Sequence, residues 1–116
     1  MITIILPWPA PVLFPNAQRQ KHWTTRAQAA REQRAYSKAL AYPFRDHDLA
    51  PPCRVVYTFC KPDYRVRDLN GCYGAIKAAE DGIADALEID DRHFYPVTLK
   101  WGETGDGGRV VVEIGM

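Results

Sequence analysis

Long apolar runs are absent from this sequence. The longest opens at Ile4 and is broken by Pro7, Pro9 and Pro11, well short of the roughly 18 residues that a membrane span needs. The N-terminal residues lack the basic start and continuous apolar stretch of a signal peptide, so the expected location is the cytoplasm. Cysteine is scarce: Cys53, Cys60 and Cys72 are odd in number and show no CxxC spacing. They read as reduced thiols rather than a disulfide framework or zinc ligands. No GxSxG, HExxH, phosphate loop or dinucleotide fingerprint occurs, which leaves the corresponding enzyme classes without support. His22, His47 and His93 are scattered and read as surface or loop residues. Repeats, linkers and low-complexity tracts are also missing, so residues 1–116 form one domain. A chain this short buries a modest fraction of its surface, and a homodimer would add stability.

The apolar and charged fractions, 47% and 25%, are those of an ordinary globular protein. Net charge is only +1, but it is unevenly placed. Residues 1–67 hold eleven Lys/Arg and four Asp/Glu, a balance of +7, and residues 68–116 hold four and ten, a balance of −6. Cations that hold phosphates and carboxylates that hold a metal would produce this division. Two solvated helices of opposite sign, pairing with each other, would produce it equally well.

Ile2 to Leu6 reads as a strand, followed by a proline-punctuated loop from Pro7 to Trp23. Thr24 or Thr25 is a plausible cap for an alanine-rich helix running to about Tyr42, with Arg26, Arg31, Arg34 and Lys38 around its exposed side. Residues 43–53 connect it to a β-branched and aromatic strand, Arg54 to Cys60. After a polar loop from Lys61 to Gly71, the residues Cys72, Ala75, Ile76, Ala79, Ile83, Ala86 and Leu87 recur at helical spacing. Lys77, Glu80, Asp81 and Asp85 fall off that stripe. Val97 to Trp101 and Arg109 to Ile114 read as two strands joined by a Gly-rich hairpin loop, Gly102 to Gly108. The order β-α-β-α-β-β predicts an α+β fold, a small mixed sheet with two main helices.

The stretch from Pro62 to Asp91 is the most informative. Arg65 and Arg67 lie two apart, as do Asp68 and Asn70, so each pair shares a face in extended chain. Two guanidiniums can grip phosphates. Two oxygen ligands suit a hard cation such as magnesium, with water and phosphate completing its shell. An exposed turn with a structural Arg–Asp pair is the plainer alternative.

Taken together, PDYRVRDLNG, AIKAAEDGIADAL and EIDD, preceded by LPWPAP and PNAQRQKHW, resemble the RusA family of Holliday-junction resolvases. The resemblance runs from Ile4 to about Pro96. It implies a RusA-like fold and a Mg2+-dependent endonuclease that binds and resolves four-way DNA junctions in recombination and repair, encoded by a bacterium, phage or prophage. By position, Asp68 matches the family's first catalytic aspartate, Asp91 the third, Lys77 the helix lysine and Arg67 the arginine before the first aspartate. Asn70 stands where the second aspartate is expected and Gly71 where an asparagine is. Catalytic Asp68, Asn70, Lys77 and Asp91, metal ligands Asp68, Asn70 and Asp91, and phosphate contacts from Arg65, Arg67, Arg26, Arg31, Arg34 and Lys38 follow from this match. The alternative is a junction-binding protein of the same fold whose catalysis is weakened by the charge missing at Asn70. About 16 helical residues would hold Asp68 and Asp91 roughly 24 Å apart. Either the chain after Leu87 folds back along the helix, or a second copy in a homodimer supplies Asp91.

Overall fold

A computed structural model describes residues 1–15 and 23–115. Most of the PNAQRQKHW stretch, and with it residues 16–22 of the expected Pro7–Trp23 loop, lies outside the described residues. Strands β1 (Ile2–Pro7), β2 (Cys53–Cys60), β3 (Phe94–Trp101) and β4 (Arg109–Ile114) form one mixed sheet in the order β1-β4-β2-β3. Among the described residues, three α-helices accompany it: α1 (Trp23–Ala41), α2 (Leu69–Ala75) and α3 (Lys77–Leu87). The α+β expectation holds, as does the order of elements, apart from the division of the second helix.

Alternation in the strands sets the core. Ile2, Ile4 and Leu6 of β1, Val110, Val112 and Ile114 of β4, and Val55, Tyr57 and Phe59 of β2 all face the helices and are buried. Fully burying each such side chain contributes about 1.5–3 kcal/mol. From the helices, Cys72, Ile76, Ala79, Ile83 and Leu87 complete the same cluster, so every residue of the expected helical stripe is buried.

The expected C-terminal hairpin does not form. β4 pairs antiparallel with β1 and β2, whereas β3 pairs parallel with β2, which lies between them. Instead of closing on itself, the glycine-rich loop fastens to the end of β2: Gly102 N–H donates to Phe59 O (2.9 Å) and Gly105 N–H to Lys61 O (2.8 Å). Gly105, Gly107 and Gly108 take positive φ there, as does Asp106; glycine permits this at little steric cost. β3 suits an edge position because Pro96, which lacks an N–H, is tolerated there. The strand also starts at Phe94 rather than Val97.

Two helix boundaries differ from expectation. α1 begins at Trp23, so Thr24 and Thr25 lie in its first turn instead of capping it. The helix expected over 72–87 starts earlier, at Leu69, and breaks at Ile76 (φ −113°, ψ 13°). Such a break leaves backbone groups without helical partners. Gln33 of α1 serves both sides of it, its Nε2 donating to Ala75 O (3.0 Å) and its Oε1 accepting from Ala79 N–H (3.0 Å). Ser37 Oγ donates to Ala79 O (2.8 Å). α1 and α3 cross so closely at Gly82 that a Cβ there would lie 2.2 Å from both Arg34 O and Ser37 Oγ.

Gln33→Ala strands a partly buried donor and a partly buried acceptor together. It is expected to reduce the unfolding free energy by about 1–3 kcal/mol, measured by urea denaturation. Gln28→Ala, which removes only an exposed bond to Glu32 on the same helix, serves as the control. A loss no larger than the control's would show that Gln33 does not hold the break.

Candidate functional site

The residues expected to carry chemistry fall into two groups. The first follows β2. Asp63 organises the loop: its Oδ1 accepts from the Arg65 amide (3.0 Å) and from Arg67 Nη1 (2.9 Å). Its carboxyl is held below the usual carboxylate range, first by the Arg67 bond and then by the Arg65 amide. The two arginines are not equivalent. Arg67 is 17% exposed, with its guanidinium 5.5 Å from the Trp8 ring centroid, whereas Arg65 is 83% exposed. Tyr64 and Val66 beside it are also open to solvent. Asp68 caps α2, its Oδ2 accepting from Gly71 N–H (3.2 Å). Arg67, Asp68 and Asn70 share an open recess with Phe14, Pro15, Val66, Gly71 and Cys72.

The second group surrounds the start of α3. Lys77 Nζ donates to Glu80 Oε1 (2.8 Å), while Glu80 Oε2 accepts from Tyr57 Oη (2.5 Å) and Tyr73 Oη (2.8 Å). Glu80 is 3% exposed, and three donors match its carboxylate. Burial, followed by the bond to Glu80, pushes the Tyr73 hydroxyl up to about 12. Burial and the Glu80 charge raise Tyr57 well above its ordinary value, so both stay protonated donors at neutral pH. Burial works to lower Lys77, but its bond to Glu80 and that residue's charge outweigh it, and the net shift is upward.

Asp91 lies beside this second group without joining its hydrogen bonds. Glu88 ends α3 in a left-handed conformation, and the Ile89 amide donates back to Ala84 O (3.1 Å), turning the chain towards the helix it has just left. Asp91 then lines a recess with Asp81 and Asp85. Burial, and secondly the Asp91 charge, raise Asp81. Asp91 also contributes to the upward shifts at Lys77 and Tyr73.

Asp68 and Asn70 thus share one recess and Asp91 lines another. Among the described residues, no group of three or more His, Cys, Asp or Glu side chains gathers to hold a metal ion. All three cysteines are buried free thiols. On α1, Arg31 and Lys38 are exposed and Arg26 half-buried. Arg34 pairs with Asp85 of α3 (Nε–Oδ2 2.8 Å), so part of the basic-then-acidic pattern is helix pairing. Sequence reasoning put Glu80 off the apolar stripe and passed over Tyr57 and Tyr73 as site residues. A signal existed, because Ile76, Glu80, Ile83 and Leu87 are spaced four, three and four apart, a helical stripe in its own right.

No protein-family model matches the chain. It is 35% identical over 118 residues to an uncharacterized protein of Xylella fastidiosa (strain Temecula1), an alignment spanning 98% of this chain and 76% of the other. The chain belongs to the same family as that protein.

A depressed aspartate contributes order that is complete above its unfolded pKa, about 3.9, and is lost as pH falls through the lower folded value. The Arg65 amide resonance, tied to Asp63, is therefore expected to hold its position at pH 4 and to move only in more acidic solution. Asp63→Asn should abolish that titration. An Arg65 shift already half complete at pH 3.9 in the parent protein would mean that Asp63 is not clamped.

Proposed function

We propose that this chain is a RusA-like, Mg2+-dependent endonuclease acting on four-way DNA junctions in recombination and repair. The observation that carries the reading is the Arg65–Asn70 segment. An arginine braced by Asp63 and Trp8 and two oxygen-bearing side chains, Asp68 and Asn70, line one open recess, and the exposed Arg65 stands two residues before them in the chain. Arg65, Arg31 and Lys38, all exposed, would hold DNA phosphates, and junction shape rather than base identity would supply most of the selectivity. Arg34, engaged by Asp85, and the braced Arg67 would contribute less. No helix among the described residues is long and apolar enough to cross a membrane, which is compatible with a cytoplasmic setting.

Asp68 and Asn70 of one chain line one recess and Asp91 another, so one chain alone does not fit a three-ligand magnesium site. A homodimer in which Asp91 of a second copy approaches Asp68 would complete the set. Two-fold symmetry would generate two such sites. A second reading is favoured by Asn70, whose amide oxygen brings no charge to a cation. In that reading the chain binds junctions and cuts them slowly or not at all.

Gel shift with a four-way junction, first in EDTA and then at about millimolar magnesium, tests both readings. Binding is expected in EDTA and should weaken steeply with salt. Arg31→Ala combined with Arg65→Ala should flatten the log–log salt slope by roughly two. Absence of junction binding would sink both readings. Asn70→Asp is expected to raise cleavage and Asp68→Asn to abolish it. If the parent cuts as fast as Asn70→Asp, Asn70 is not a deficient ligand. Sedimentation as a monomer at micromolar concentration would remove the dimer.

A further inference from the structure

We propose that Glu80 is a positioning residue, linking the middle of the sheet to the Lys77 ammonium and presenting that ammonium to a DNA phosphate oxygen. Only the phosphate-facing role of Lys77, which the RusA resemblance implies, rests on the endonuclease reading proposed above. The link from sheet to lysine stands on geometry.

Tyr57 lies in the middle of β2, paired with Leu99 on one side and Val112 on the other, and is buried. Its hydroxyl donates to Glu80 Oε2, which Tyr73 Oη also approaches at 2.8 Å. The inward oxygen is thereby fixed from two directions, one belonging to the sheet and one to α2. The outward oxygen, Oε1, holds Lys77 Nζ at 2.8 Å, and the ammonium also lies 5.3 Å from the Tyr73 ring centroid. An ammonium has three donors. Glu80 takes one, and the half-exposed lysine keeps the others for an incoming acceptor.

Position 80 continues the Ile76, Ile83 and Leu87 stripe, where an apolar side chain would avoid the desolvation cost of a buried charge but would strand the buried Tyr57 hydroxyl. A neutral amide could still accept from the two tyrosines, so what the charge adds is the hold on Lys77. The charge gives a long, flexible lysine a fixed direction. A loosely held ammonium would sample many rotamers and meet the phosphate rarely, and misplacement by about 1 Å can cost around a hundredfold in rate.

The test uses the 116-residue chain and the near-isosteric Glu80→Gln. In solution NMR, the Lys77 side chain should be ordered in the parent and gain free-lysine mobility in Glu80→Gln, while the amide resonances of β2 hold their positions. On a four-way junction at saturation, Glu80→Gln should slow cleavage roughly ten- to a hundredfold. The dissociation constant should change by less than about twofold, because other phosphate contacts carry affinity. Lys77→Ala should cost a similar factor, and the double variant no more than the worse single one. Equal Lys77 order in parent and Glu80→Gln, or losses that multiply in the double variant, would overturn the proposal. If the parent cuts no junction, the endonuclease reading fails, and the Lys77 order measurement alone decides whether Glu80 positions it. If Glu80→Gln does not fold, Tyr73→Phe takes its place. It removes one anchor and keeps the ring, so Lys77 order should fall partway, and unchanged order would count against the proposal.

Discussion

Two parallel neighbours in a sheet cannot be joined by a tight turn, because the chain must return the full length of the strand before it can pair again. β2 and β3 are such neighbours, and most of the molecule's organisation follows from that constraint. α2 and α3 make the return journey, and the polar loop that carries Arg65 to Asn70 precedes them. The chain re-enters the sheet at Phe94, opposite Cys53. Asp68 stands before the crossing and Asp91 after it. Their separation into different recesses is a consequence of topology.

The crossing is made in two pieces, and the joint has its own chemistry. At Ile76 the helix stops and restarts, exposing a carbonyl on one side and an amide on the other. The side-chain amide of Gln33, with one donor group and one acceptor, bonds to both. Directly after this joint come Lys77 and Glu80, so the residues that secure α1 to the crossing also settle where the lysine starts. α1 is tied in further by the Gly82 contact and the Arg34–Asp85 ion pair. Structural pairing and a cationic surface therefore occupy one helix: Arg34 faces its acidic neighbour, while Arg31 and Lys38 remain open to a polyanion.

Beneath the crossing, a carboxylate is buried against the sheet with every donor accounted for. No buried side-chain nitrogen or oxygen lacks a hydrogen-bond partner among the described residues. A polar network of this kind holds its members in one arrangement only when it is fully satisfied, and here it ends in a half-exposed ammonium. Sheet, helix and surface cation are joined through four side chains, Tyr57, Tyr73, Glu80 and Lys77.

Much of this was legible in the sequence. Short apolar, β-branched segments bounded by proline and glycine mark β1 and β4, and period-3.6 recurrence marks Cys72 through Leu87, because burial on one face of a helix leaves a local signature in the chain. The loop residues Arg65, Arg67, Asp68 and Asn70 were also readable as a group, since they are neighbours in sequence and remain neighbours in space. Strand order was not readable. Gly102–Gly108 has the composition of a hairpin, yet its amides fasten to β2, because pairing depends on partners some forty residues away that carry no local mark. Nor was the site's division, and although Glu80 falls on a helical stripe, nothing local marks the donors that let it be buried. A charged side chain enters a core only if donors arrive from elsewhere in the fold, and Tyr57, 23 residues upstream, reaches Glu80 only once the crossing has packed onto the sheet. Which faces are buried was determined by the sequence alone; which residues meet across them was decided by the tertiary structure.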